Sequence, residues 1–181
     1  IKKACEDDDA QVTFLVGGTQ TNSTVLATMM QPYEGVVCAE SGHIAGHEAG
    51  AVENTGHKVL TLPAHDGRLD SDELDDYLKA FKADSNADHC VWPGVVYITF
   101  PTELGTLYTQ QELKDIYAVC QWFHIPLYID GARLGYGLFS EGCDITLPQL
   151  ARLCDVVYLG GTQIGAIRGR ALVFTPTNGN L

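Results

Sequence analysis

Short apolar runs rich in β-branched and aromatic residues recur along the chain, separated by polar stretches of helical character. QVTFLV (11–16), GVVCA (35–39), HKVLTL (57–62), VVYITF (95–100), IPLYID (125–130), DVVYLG (155–160) and ALVFTP (171–176) read as strands. Helices are predicted over Thr19 to Met30, Asp72 to Lys82, Gln110 to Phe123 and Leu147 to Leu153. Strands alternating with helices imply an α/β fold with a mainly parallel central sheet flanked by helices, because crossover helices cover both faces of uniformly apolar strands. No repeat or low-complexity tract points to a solenoid.

Two helix starts are specified locally. Thr109 precedes Glu112 by three residues and Asp70 precedes Glu73 by three, so each offers a side-chain cap with an acidic residue at the third helical position. Leu113, Ile116, Tyr117 and Cys120 then recur on one face, which reads as core packing. DSDELDD (70–76) reads as a capped helix start, and Asp84 to His89 as a solvated connection.

Of the 181 residues, 11 are Lys or Arg and 23 are Asp or Glu, a formal charge of −12. Hydrophobic residues make up 45% of the chain, which suffices for one packed domain and is unlike the composition of disordered chains. No apolar run approaches the roughly 18 residues of a membrane span. Without a Lys/Arg cluster, nothing favours a nucleic-acid or anionic-membrane surface; a single anion held by local backbone groups stays compatible with the charge. The six cysteines are dispersed, with no CxxC pair, and read as reduced thiols. The opening IKKACEDDDA is not a basic segment followed by an apolar core, so a cytoplasmic protein is expected.

Four segments where strands give way to turns carry candidate chemistry. In FLVGGTQTNS (14–23), Gly17 and Gly18 join a strand to a helix start at Thr19 to Thr21. That is either an ordinary turn or an anion site built from free backbone N–H groups; it matches neither the dinucleotide nor the triphosphate glycine motif. In HIAGHE (43–48), His43 and His47 are four apart, but Gly46 intervenes and no third ligand is indicated, so no metal site is expected. His43 suits either a local hydrogen bond or a flat contact with a planar ligand. In IPLYIDGARLGYG (125–137), a buried strand delivers Asp130, with Arg133 three residues on. Asp130 could face a protonated ring nitrogen and Arg133 a carboxylate, or the two could pair with each other. In DVVYLGGTQIGA (155–166), Thr162 and Gln163 follow a strand and a glycine pair, at the kind of strand end where open α/β sheets place ligands.

Taken in order, GGTQTN (17–22), HIAGHEAGA (43–51), PTELGTLYT (101–109), DGARLGYG (130–137) and the Gly160 to Gly169 stretch resemble the beta-eliminating lyase and low-specificity threonine aldolase family, whose members have the pyridoxal-phosphate-dependent aspartate-aminotransferase-like fold, fold type I. The resemblance implies pyridoxal 5′-phosphate as cofactor. It makes Gly18, Thr19 and Gln20 the phosphate loop, His43 the residue stacked on the pyridine ring, Asp130 the partner of the ring nitrogen and Arg133 the clamp on the substrate carboxylate. His47 and Glu48 would shape the substrate region. The implied reaction is cleavage of a β-hydroxy-α-amino acid to glycine and an aldehyde, in a homodimer or dimer-built homotetramer. By the same likeness, residues 1–181 lie in the large cofactor-binding domain, with an N-terminal portion and a C-terminal small domain expected beyond them.

One position departs from that pattern. Where the family's GGTKxGA-like motif carries the Schiff-base lysine, this chain has Gln163. An amide is neither a nucleophile nor a useful proton carrier, so no internal aldimine is expected, and the chain is read as inactive or severely impaired in turnover. An engineered replacement, a natural noncatalytic relative and a modified lysine all remain open. The alternatives to a disabled aldolase are a noncatalytic pyridoxal-phosphate-binding or structural homologue and another pyridoxal-phosphate-dependent lyase. Arg170 is a second, smaller departure, since the family commonly has an acidic residue there.

Overall fold

The computed structural model describes residues 1–165 and 169–175. Residues 166–168 of the Gly160 to Gly169 stretch and Pro176 of the ALVFTP segment lie outside that set. One seven-stranded sheet spans the chain, in the order β1-β7-β6-β5-β4-β2-β3. Its strands are β1 (Gln11–Leu15), β2 (Glu34–Ala39), β3 (Val59–Leu62), β4 (Trp92–Thr99), β5 (Leu127–Gly131), β6 (Val156–Gly160) and β7 (Arg170–Phe174). The β3, β2, β4, β5 and β6 neighbours pair parallel, and β7 alone runs against its neighbours β6 and β1. The helices are α1 (Lys2–Cys5), α2 (Gly18–Met29), α3 (His43–Gly46), α4 (Ser71–Ala83), α5 (Gln110–Phe123), α6 (Leu134–Leu138) and α7 (Leu147–Ala151). None among the described residues is long and apolar enough to cross a membrane.

Alternation along each strand divides the core in two. Val37, Val96, Ile98, Leu127, Ile129 and Val157 pack with Leu74 and Leu78 of α4 and Leu113, Ile116 and Cys120 of α5. Val36, Cys38, Val95, Tyr97, Tyr128, Val156 and Tyr158 point the other way, into a cluster with Val25 and Leu26 of α2. Both faces of the central strands are therefore buried, which is why these segments read as continuous apolar runs rather than as alternating ones. The second face differs from the first in its three buried tyrosines, on adjacent strands β4, β5 and β6.

The local helix signals act as the sequence reading expects, with one difference. Thr109 and Glu112 form a reciprocal capping box at α5. Asp70 accepts from the Asp72 and Glu73 N–H groups at α4, but Glu73 does not return the bond; its carboxylate meets His65 at 2.9 Å instead. No disulfide joins the cysteines among the described residues, and Cys5, Cys38, Cys120 and Cys154 are buried.

Candidate active site

The carboxyl ends of the parallel strands and the start of antiparallel β7 lie along one edge of the sheet, and a pocket opens there. Strands β1, β2, β4, β5 and β6 contribute at their carboxyl ends or through the segments that follow them. The turn after β1 brings Gly18 and Thr19, and that after β2 brings His43 and Glu48. β4 leads to Glu103, β5 carries Asp130 near its end with Arg133 just beyond it, and β6 leads to Gln163. The β5 and β6 ends close on each other backbone to backbone. A Cβ on Gly160 would lie 2.1 Å from the Ala132 carbonyl oxygen, so a side chain there would force Asp130 and Arg133 apart from β6.

Asp130 forms the floor and is 3% exposed. Its Oδ2 accepts from Asn22 Nδ2 at 3.0 Å and from the Tyr97 hydroxyl at 2.6 Å, and its Oδ1 accepts from the Ala132 N–H at 2.9 Å. Burial, and then the charge of Asp130, push the Tyr97 pKa well above its ordinary value, so this hydroxyl keeps its proton and acts as donor. Asn22 uses its other N–H on Glu48 Oε1 at 2.9 Å and accepts from the Tyr128 hydroxyl at 2.7 Å. One amide thus orients both buried carboxyl groups. Asp130 and Arg133 do not pair with each other: Arg133 reaches Glu103 at 2.8 Å.

His43 sits between two acids. Its Nε2 is 3.5 Å from Glu48 Oε1, and its Nδ1 is 3.4 Å from Glu103 Oε2, an ion-pair distance without hydrogen-bond alignment. Glu103 raises the His43 pKa against the opposing effect of burial, with Glu48 and Asp130 adding to the rise. Burial raises the pKa of Glu48, opposed by its bond from Asn22. Burial also acts upward on Glu103, but His43 and Arg133 outweigh it and bring that carboxyl down to about 2. His47 stacks on the His43 ring, with centroids 5.8 Å apart, yet is exposed and does not line the pocket.

The opposite wall is the start of α2. Gly17 caps this 12-residue helix with no side chain to satisfy its first N–H groups, which leaves them available to an anion. Gly18 and Thr19 line the pocket, whereas the exposed Gln20 lies just outside the lining. Arg170, the first residue of β7, enters beside them and donates to the Tyr158 hydroxyl. Gln163 is exposed on a short turn, Thr162–Ile164, after β6.

These residues suit a phosphorylated, cationic planar ligand. Free N–H groups and a guanidinium stand at one end, a buried carboxylate lies on the floor, and a half-buried imidazole stands to the side. Gln163 is the exception, because it offers no amine for covalent attachment. The sequence singles out the glycine turn, His43, Asp130 and Arg133, and Gly18 of that turn lines the pocket with the other three; it assigns no role to Asn22, Glu103, Tyr97 or Tyr158. Asn22 is a polar residue on the buried face of α2, and the tyrosines sit in otherwise apolar strands; both were legible as polar atoms needing partners.

The beta-eliminating lyase family pattern matches residues 3–175. The low specificity L-threonine aldolase of Pseudomonas aeruginosa is 35% identical over 170 residues, covering 93% of this chain and 48% of the relative. Among solved structures, the threonine aldolase of Leishmania major superposes with a TM-score of 0.91 at 42% identity, over 98% of this chain and 51% of that one. The kynurenine aminotransferase of Pyrococcus horikoshii shares the fold alone, with a TM-score of 0.74 at 16% identity over 97% of this chain and 43% of that one. The sheet and its flanking helices are the fold type I, aminotransferase-like architecture. The chain spans about half the length of the curated relatives it matches. With the family pattern running across nearly all of its 181 residues, the chain belongs to the beta-eliminating lyase family.

Proposed function

We propose that this chain carries the cofactor-binding machinery of a threonine-aldolase-like, pyridoxal-phosphate-dependent lyase that cleaves β-hydroxy-α-amino acids to glycine and an aldehyde, and that Gln163 disables its covalent step. The observation that carries the reading is Asp130. It is a buried carboxylate fixed by three protein donors at a pocket floor, and among the described residues no cation of the protein pairs with it. A protonated ring nitrogen is the partner such a group awaits.

When bound, pyridoxal 5′-phosphate supplies the electron sink for the electrons left on Cα as the Cα–Cβ bond breaks. The remaining roles belong to the chain. The N–H groups at Gly18, Thr19 and Gln20 hold the phosphate, and the His43 imidazole covers the ring. Arg133 receives the substrate carboxylate once its pairing with Glu103 is shared or exchanged. His43 Nε2, backed by Glu48 Oε1 at 3.5 Å, takes the β-hydroxyl proton. His47, stacked behind His43, limits how far that ring swings. Gln163 retains hydrogen-bonding capacity but has no nucleophilic amine, so binding persists noncovalently while turnover falls severely. The working form is a homodimer or dimer-built homotetramer.

Gln163 also favours a second reading, a noncatalytic pyridoxal-phosphate-binding homologue. Aldehyde release from threonine, allo-threonine and other β-hydroxy amino acids separates the two when the full-length protein and its Gln163→Lys variant are assayed together. Release by the variant supports a disabled aldolase. A variant that binds cofactor yet cleaves none of these substrates rules out the aldolase assignment.

A further inference from the structure

The pocket's positive charges are not equivalent. Arg133 is neutralised by Glu103 at 2.8 Å. Arg170 has no carboxylate partner among the described residues, in a chain with 23 acidic and 11 basic residues. Its Nε is buried without a hydrogen-bond partner among those residues, and one Nη donates to the Tyr158 hydroxyl. A partly buried guanidinium with no counter-charge beside it is unfavourable, and an anion in the pocket would complete the site.

Topology explains its position. Because β7 runs antiparallel, its first residue falls at the edge where the other strands end, with Arg170 opposite Gly160 on one side and Leu15 on the other. That register sets the guanidinium against the turn leading into α2. A Cβ built on Gly18 would lie 3.5 Å from Arg170 Nη1 and 3.4 Å from the Tyr158 hydroxyl. The uncapped N–H groups of α2 and the Arg170 guanidinium therefore approach one space from two elements distant in sequence.

We infer that Arg170 is a phosphate-binding residue, closing with the start of α2 a site for a phosphate-monoester dianion that Tyr158 holds in shape. The inference rests on the cofactor reading for the identity of the phosphate's owner, but not for the anion site itself. A guanidinium offers several N–H donors in a plane, so the nitrogens not engaged by Tyr158 remain for phosphate oxygens. Anchored this way, a phosphorylated ligand keeps its place without the covalent link that Gln163 cannot make.

The test compares pyridoxal 5′-phosphate, pyridoxal and inorganic phosphate as probes, with ring binding followed by absorbance and phosphate by phosphorus NMR. The full-length protein is measured alongside its Arg170→Met and Arg170→Lys variants, with thermal unfolding confirming that each is folded. Arg170→Met is expected to weaken pyridoxal 5′-phosphate about 10- to 100-fold, the loss typical of a charge-assisted bond. Its affinity for pyridoxal should change by less than about twofold, and Arg170→Lys should recover part of the loss by restoring charge. An unchanged ratio of phosphorylated to unphosphorylated affinity in Arg170→Met overturns the inference. If neither ring compound binds the unaltered protein, the cofactor reading fails and inorganic phosphate decides: saturable binding that Arg170→Met abolishes sustains the anion site, and no saturable binding overturns it.

Discussion

Asn22 on α2 and Asp130 at the end of β5 are 108 positions apart in the chain, and their side chains meet at 3.0 Å. Asn22 is 1% exposed, and in the same place it donates to Glu48 and accepts from Tyr128. The helix whose first turn lines the pocket is thus pinned to the carboxylate on the floor by the same residue that fixes the acid behind His43. The start of α2, the Asp130 carboxylate and the Glu48 carboxylate beside His43 are tied together through one side chain.

Removing that amide should be costly. Asn22→Ala leaves the Asp130 and Glu48 carboxylates each one donor short and the Tyr128 hydroxyl without its acceptor, all buried. A loss of about 2–4 kcal/mol is expected. Urea unfolding checks it, and a change below about 0.5 kcal/mol would show that these groups find other partners.

The His43 imidazole should titrate above the ordinary histidine value of about 6.5, because Glu103 first, and then Glu48 and Asp130, favour its protonated form over the opposing effect of burial. Its folded pKa is raised, so its stabilising contribution is complete below the unfolded pKa and is lost as pH rises through the folded one. Proton NMR of the ring follows the midpoint directly. Glu103→Gln should lower it, and an unmoved midpoint would detach Glu103 from His43.

Asp155 predicts a separate pH effect remote from His43. It is fully buried, its Oδ2 accepts from the Leu127 N–H at 2.8 Å, and its Oδ1 has no partner among the described residues. Burial pushes its pKa up from 3.8 to about 6. The folded state therefore holds this proton more tightly than the unfolded one, and stability falls as pH rises across that interval. Asp155→Asn should match the unaltered protein near pH 4 and exceed it by about 2–3 kcal/mol near pH 8. Parallel stability curves across that range would contradict the assignment.

At α5, Thr109→Ala removes the acceptor for the Glu112 N–H, 3.1 Å away, and opens the capping box. A loss of about 1 kcal/mol is expected in thermal or urea unfolding, with no change in pyridoxal 5′-phosphate affinity.

Every strand of the sheet was visible as an apolar run, and the α5 limits, Gln110 to Phe123, follow from Thr109 at one end and loss of the apolar period at the other. The short α3 and α6 were not visible, since four or five residues around glycines carry no period. Among site residues, Asp130 announced itself as an acid closing an apolar strand. Glu103 did not, because its importance depends on Arg133 and His43, which the turns after β5 and β2 bring to it. Arg170 looked only like a disturbed charge, and its place beside Gly18 follows from the reversed direction of β7, which composition and spacing do not encode.

If the pocket is a pyridoxal-phosphate site that lacks only its attachment point, lysine at position 163 restores covalent capture of the cofactor. The direct measurement loads the full-length Gln163→Lys variant and the unaltered protein with pyridoxal 5′-phosphate, reduces both with borohydride and maps the pyridoxyl label by mass spectrometry. Stoichiometric label at position 163 is expected in the variant and none there in the unaltered protein. A folded variant that takes no label at position 163 would contradict it.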